Sequence, residues 1–181
     1  MTVTEFVTLE VLLPYDSRSS VIQDFFRKVA ELQSATSGYP MRFFQDANAS
    51  TLYILAGWPD AAAHQKWIES EGNGALVAEM QSKVAVKGLV HLDIDFNAIP
   101  ADAAHIRLTT YPKESIPKLE ESGAGEDGEP MWRGIGATLE SSGSDINCLQ
   151  AWTHEETGRE ALKTAKASGA TLDIHMIRLP L

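Results

Sequence analysis

The stretch YILAGWPDAAAHQKW, residues 53–67, reads as an apolar strand ending on a tryptophan, then a Pro-Asp turn, then the first turns of a helix. A second stretch, CLQAWTHEETGREAL at 148–162, repeats that order, with Trp152 closing the strand and Thr153 and Glu156 at capping-box spacing. GYPM at 38–41 and GEPM at 128–131 precede them, each after a helical pattern and before a strand. Met41 to Trp58 spans 17 positions and Met131 to Trp152 spans 21; a hairpin loop four residues longer at ESSGSD accounts for the difference. The chain reads as one supersecondary unit written twice.

Working outward from Trp58, EFVTLEVLL is a strand and SSVIQDFFRKVAELQ an amphipathic helix, with Val21, Ile22, Phe25, Val29 and Leu32 on one face. Ser20 and Gln23 have capping-box spacing, and Gly38 is a stop signal. MRFFQ and TLYILAGW pair across DANAS, a helical region after Pro59 and Asp60 breaks near EGNG and resumes through ALVAEMQSKV, and VHLDIDF closes a βαββαβ unit. The second unit is shorter: AHIRLTTY, a stunted helix IPKLEES, a loop GAGEDGE, MWRGIGATL, DINCLQAW, a helix from Thr153 to a stop at Gly169, and LDIHMIRL. FNAIPADA is the linker, which gives units of 1–97 and 103–181.

A four-stranded antiparallel sheet with both helices on one face leaves its other face uncovered. Two such sheets in one chain cover each other when they pack face to face with the helices outside, enclosing a cavity. At this point the sequence resembles the dimeric α+β barrel superfamily, and within it the antibiotic biosynthesis monooxygenase (ABM) group. The residues that carry the resemblance are the strand ending in Trp58, the Pro59-Asp60 helix start and AAAHQKW. The fold it implies is α+β: two ferredoxin-like repeats forming that barrel within one chain.

The polar half of VHLDIDF then decides where a site lies. With Val90, Leu92 and Ile94 assigned to the helix-covered face, His91 and Asp93 point into the cavity, as do Asp173 and His175 of LDIHMIRL. Aligning Leu9 with Leu108 sends Glu10, His105 and Arg107 inward as well. Solvent or a partner protein against that polar face is the competing reading, because alternation does not distinguish lumen from water. Carboxylates beside histidines in a low-dielectric cavity can tune a general base toward neutral pH. The expected catalytic set is therefore His91 or His175 as base, Asp93 or Asp173 as its orienting carboxylate, and Arg107 holding the anion. Glu10, His105, Phe43, Tyr53 and Trp132 are expected around an aromatic ligand. ABM relatives oxidise phenolic anthrones to quinones without metal or flavin, so the resemblance implies a cofactor-free oxygenase. A cyclase or isomerase, or a non-catalytic stress-responsive binder, is the alternative on the same fold. Some relatives bind haem through a helical His; His64, on its helix, is read as a packing residue, and His154 as exposed.

Composition narrows the remaining classes. A formal net charge of -10 over 181 residues disfavours nucleic acid and anionic membrane as partners, since both need a basic patch. The single Cys148 makes no internal disulfide, the N-terminal strand pattern lacks a signal-peptide form, and no window is apolar enough to span a bilayer, so a cytoplasmic location is expected. No HxxxH, CxxC, GxxxxGK[ST] or GxSxG occurs, no GxGxxG follows a strand, and GAGEDGE is acidic where a phosphate cradle should not be, so no metal or cofactor is expected. A homodimer is compatible with this reading.

Overall fold

A computed structural model describes residues 2–46, 51–115, 130–140, 145–154, 158 and 169–181. The expected hairpin loop DANAS beyond Asp46, the helix IPKLEES, the loop GAGEDGE, most of ESSGSD and the body of the helix after Thr153 lie outside the described residues.

The first half runs β1 (Val3–Val11), α1 (Ser20–Ser37), β2 (Met41–Asp46), β3 (Thr51–Trp58), α2 (Ala61–Ile68), α3 (Glu71–Met80) and β4 (Val84–Leu92). The second contributes β5 (His105–Pro112), β6 (Trp132–Ala137), β7 (Asp145–Trp152) and β8 (Leu172–Arg178). Local chemistry explains the helix ends. Gly38 caps α1 in the left-handed conformation that a residue without Cβ adopts freely, with its N–H on Ser34 O. The Asp60 side chain accepts from Ala63 N and starts α2, while the Ser70 side chain accepts from Asn73 N and starts α3. The break between these helices thus falls at Glu69 and Ser70, and EGNG is the first turn of α3. At α1 the expected capping box does not form: Ser19 is the N-cap, and its hydroxyl turns back to Asp16 O.

All strand pairings are antiparallel, in the order β4-β1-β3-β2-β8-β5-β7-β6. Each half has the same internal order, its last strand beside its first, then its third, then its second. The halves meet edge to edge as well as face to face. β2 pairs with β8 through Phe44↔Arg178, Gln45↔Ile177 and Asp46↔Met176. The free ends also meet: Leu92 bridges Thr138, Asp93 N donates to Ala137 O at 2.9 Å and Leu139 N to His91 O at 2.9 Å. The eight strands therefore close into a barrel. Gly136 is required at that seam, because a Cβ there would lie 2.2 Å from Asp93 O.

Two apolar cores result. One lies between the first half's sheet and its helices and includes Val7, Phe25, Phe26, Ile54, Trp58 and Trp67. The other fills the barrel and draws on both halves, with Phe6, Leu55, Leu92, Ile106, Leu108 and Met176 among its members. The space between the sheets is thus a packed hydrocarbon interior, where a polar-lined cavity was expected. Water-free space enclosed on every side penalises any unpaired polar group, so the barrel face of each strand is its apolar face.

That finding reverses the face assignment of β4. Leu92 and Ile94 point into the barrel, while His91 meets α2 on the outer face. The same reversal holds for β5, where Ile106 and Leu108 are inside and His105, Arg107 and Thr109 outside. The cause is register. Val3 pairs with Trp58 and His105 pairs with Trp152, so the two tryptophans match as expected, but Glu5 then corresponds to Arg107 and Phe6 to Leu108. Aligning Leu9 with Leu108 was three positions off, and an odd slip turns every side chain over. On the hairpins Met41 matches Arg133 through the equivalent partners Ala56 and Gln150, an even slip from the GYPM–GEPM alignment that keeps the face.

Candidate functional site

One face of β1 reads Val3, Glu5, Val7, Leu9: a carboxylate alone among aliphatics, turned toward the helices. Glu5 is buried, and its Oε2 accepts from Trp58 Nε1 at 2.6 Å and from Gln33 Nε2 of α1 at 2.8 Å. Burial pushes its carboxyl up, and those two hydrogen bonds only partly offset it. Its Oε1 faces His64 Nε2 at 3.5 Å.

His64 projects from the first turn of α2, where the Asp60 cap fixes the helix start, and stacks on the Trp58 ring at 4.6 Å between centroids. Its Nδ1 lies 2.7 Å from His91 Nε2. Burial, and secondarily the neighbouring His91, pushes the His64 pKa down to about 4, so it is neutral at pH 7. His91 in turn directs Nδ1 at the Glu140 carboxylate, which also accepts the His91 backbone N–H at 3.0 Å to each oxygen. Burial alone would raise Glu140, yet the His91 backbone and ring contacts hold it below the usual carboxylate range. Glu140 arrives from beyond β6, across the barrel seam, and its side chain is 44% exposed.

The tautomers follow from this geometry. An ionised Glu140 only accepts, so His91 Nδ1 carries a hydrogen, and in the neutral form of that ring Nε2 is an acceptor. His64 Nδ1 must then donate to it, which leaves the lone pair of His64 Nε2 facing Glu5. Beside this polar end opens a cavity of about 250 Å³ between sheet and helices, lined by Glu5, Gln33 and His64 and otherwise mainly by apolar residues such as Phe25, Phe26 and Trp67. Ile68, Val77, Val86 and Leu89 form an exposed apolar rim.

Of the residues expected to form the site, only His91 belongs to this cluster. Asp93 is exposed at the seam, and Glu10 is on the surface paired with Lys87. Phe43 packs on Phe26 in the helix-covered core at 4.9 Å, and Tyr53 stacks on Phe6 inside the barrel at 5.6 Å with its hydroxyl on Asp46. Trp132 packs against the barrel core. Arg107, Asp173 and His175 do come together, but on the outer face of the second half. Arg107 Nε and Nη2 grip the two Asp173 oxygens at 2.8 Å each, and His175 Nε2 lies 3.2 Å from Asp173 Oδ1. His105 is buried on that same face under Gly158. His154 is exposed, as expected.

Glu5, Gln33 and Glu140 were missed, and His64 was read as a packing residue only. Glu5 had a visible signal, a lone acid on an apolar strand face. Glu140 had none, since only closure of the seam brings it to His91. His64 is held within this cluster, with Nδ1 at His91 and Nε2 toward Glu5, which lines the cavity beside it. Among the described residues no group of three or more His, Cys, Asp or Glu is arranged to hold a metal ion, and no helix is long and apolar enough to cross a membrane.

No protein-family model matches the chain, and no curated protein does. Solved structures do. A candidate monooxygenase from Fusobacterium nucleatum aligns over 99% of this chain and 93% of its own, with a TM-score of 0.66 at 9% identity. A candidate chlorite dismutase aligns over 99% and 95%, with a TM-score of 0.67 at 10% identity. An anthrone oxidase-like protein aligns over 99% and 92%, with a TM-score of 0.64 at 8% identity. At such identities the likeness is one of fold, and it extends through both halves: the chain has the α+β barrel architecture of these proteins.

Proposed function

We propose that the chain is a small-molecule enzyme that removes a proton from an apolar, aromatic or polyketide-like substrate bound between the helices and sheet of the first half, with His64 Nε2 as the base. The observation that carries this is a neutral histidine at the polar end of an otherwise apolar cavity, its lone pair oriented by a histidine and a carboxylate behind it. The cavity volume of about 250 Å³ falls just below the roughly 300 to 1,000 Å³ usual for small-molecule pockets, which suits a compact ring system. Phe25, Phe26 and Trp67 supply ring and hydrocarbon contacts, and Gln33 is positioned by Glu5 rather than by solvent.

The reaction favoured by likeness to an anthrone oxidase-like protein is cofactor-independent oxygenation. His64 takes a proton from an activated CH2, the carbanion adds to dioxygen, and the proton returns to the peroxide oxygen. Loss of water then leaves a ketone, so that CH2 and O2 become C=O and H2O. A cyclase or isomerase would share the first step and differ in where the proton returns. The same reading takes residues 1–97 and 103–181 as two copies of one unit, with the catalytic site kept in the first.

Oxygen uptake and quinone formation with a generic anthrone test the reading, with His64→Ala as control. Uptake that disappears in His64→Ala supports it. Proton exchange from the substrate in deuterated water without oxygen uptake points to the isomerase form. Tight binding with neither reaction would leave a ligand-binding barrel and overturn the enzyme.

A further inference from the structure

We propose that Glu140, contributed by the second half, is a positioning residue for the first-half pocket: acting through His91, it fixes the His64 tautomer that leaves Nε2 unprotonated beside Glu5, where both residues line the cavity. The inference rests on the pocket reading above and goes beyond it, because it makes the site incomplete without the other half of the barrel.

The geometry supplies each link. Glu140 holds both the ring Nδ1 and the backbone N–H of His91, so the imidazole cannot turn over without losing the ring contact. The neutral His91 ring therefore presents Nε2 as an acceptor 2.7 Å from His64 Nδ1. The groups facing the two rings are Glu5 from β1, Trp58 from β3, and Glu140 across the seam, with Gln33 from α1 holding Glu5. Glu5 sits on the Nε2 side of His64, with Oε1 at 3.5 Å, and Glu140 is the carboxylate hydrogen-bonded to His91 Nδ1. When His64 Nε2 takes a proton, both ring nitrogens carry hydrogen. The positive charge is shared along the Nδ1–H contact to His91 and balanced by the carboxylate beyond it, and the same proton leaves from Nε2 in the next step. No proton is lost from the line, and no oxidant or metal enters it. Because the seam delivers Glu140, parting of β4 from the end of β6 would disarm the base without touching the cavity.

The test uses the full chain and two readouts. In wild-type protein, imidazole nitrogen NMR is expected to show His91 and His64 both protonated at Nδ1 alone near pH 7. Glu140→Leu, which removes the acceptor, is expected to abolish that pattern and to lower kcat for anthrone at least roughly tenfold with KM little changed. Glu140→Gln keeps an acceptor without the charge, so it is expected to retain the tautomers while giving an intermediate kcat. A wild-type spectrum with His91 protonated at Nε2, or Glu140→Leu with unchanged tautomers and kcat, overturns the proposal. If Glu140→Leu does not fold, the wild-type and Glu140→Gln spectra still decide it. The NMR readout needs no turnover, so the expected tautomers without anthrone consumption would sink the oxygenase reading and leave Glu140 in its role.

Discussion

The two halves place opposite charges at one position of one scaffold. Glu5 in the first half and Arg107 in the second each sit beside the last strand's histidine, His91 or His175, and the second half supplies a carboxylate to both histidines, Glu140 to His91 and Asp173 to His175. In the first half the acid and the base are separate links of a line that ends at a cavity. In the second, Arg107 takes both Asp173 oxygens, and burial holds the His175 pKa down against the pull of Asp173. The residue corresponding to His64, six positions after the strand-closing tryptophan, is Gly158, packed so tightly that a Cβ would lie 2.8 Å from the His105 ring. The comparison teaches that barrel geometry fixes where a histidine and a carboxylate meet. A buried cation closes the site into an ion pair, and its absence leaves a base available.

The largest expected effect concerns what the halves share. Leu92→Ala and its counterpart Met176→Ala should each destabilise by about 2 to 5 kcal/mol in denaturant unfolding, because both side chains are fully buried inside the barrel. A single transition is expected in each; two separable transitions would break the idea of a common core.

Next comes the ion pair of the second half. Asp173→Ala leaves the buried Arg107 without its bidentate partner and should cost about 2 to 4 kcal/mol, less than a wholly buried pair because Asp173 is 30% exposed. Ligand affinity of the first-half pocket should be unchanged, and a loss of affinity there would show that the two faces are not independent.

A pH titration separates the halves further. His64 is held at about 4, below its ordinary 6.5, so on acidification the unfolded chain takes up that proton first. Its contribution is complete above about pH 6.5 and falls away toward pH 4, by up to about 3 kcal/mol. Glu5, which is raised, acts in the opposite sense: its contribution is complete below the ordinary carboxylate value and is lost as pH rises. Calorimetry of wild type against His64→Phe should therefore show the acid-side slope flattened in the variant, and parallel curves would contradict the burial of a neutral imidazole.

The smallest effect is expected at Glu10. Its pair with Lys87 is half-exposed on both sides, and Lys87→Ala should change stability by no more than about 0.5 kcal/mol. A larger change would mean that Glu10, first read as facing a ligand, does more than sit on the surface.

What was legible in the sequence was whatever local chemistry determines. Trp58 and Trp152 closing matched strands, Asp60 as a cap and Gly38 as a stop gave the element order, and through it the fold. The faces were not legible. In an open sheet the polar side of VHLDIDF would point to water, but in a closed barrel with helices outside both sides of β4 can be covered, and alternation says only that they differ. The enclosed side demanded hydrocarbon. The helix side tolerated His91 because His64 and Glu140 satisfy it, and neither partner is near it in sequence.

The barrel is closed by one chain, with a short connection at 93–104 between β4 and β5. A tether of that length keeps the two sheets at an effective concentration in the millimolar range, far above any ordinary working concentration. Thermal unfolding should accordingly have a midpoint independent of dilution, whereas a barrel built from two separate chains would lose its midpoint as it is diluted. The tether also keeps Glu140 within reach of His91, so the first half is paired with one particular second half however few molecules are present.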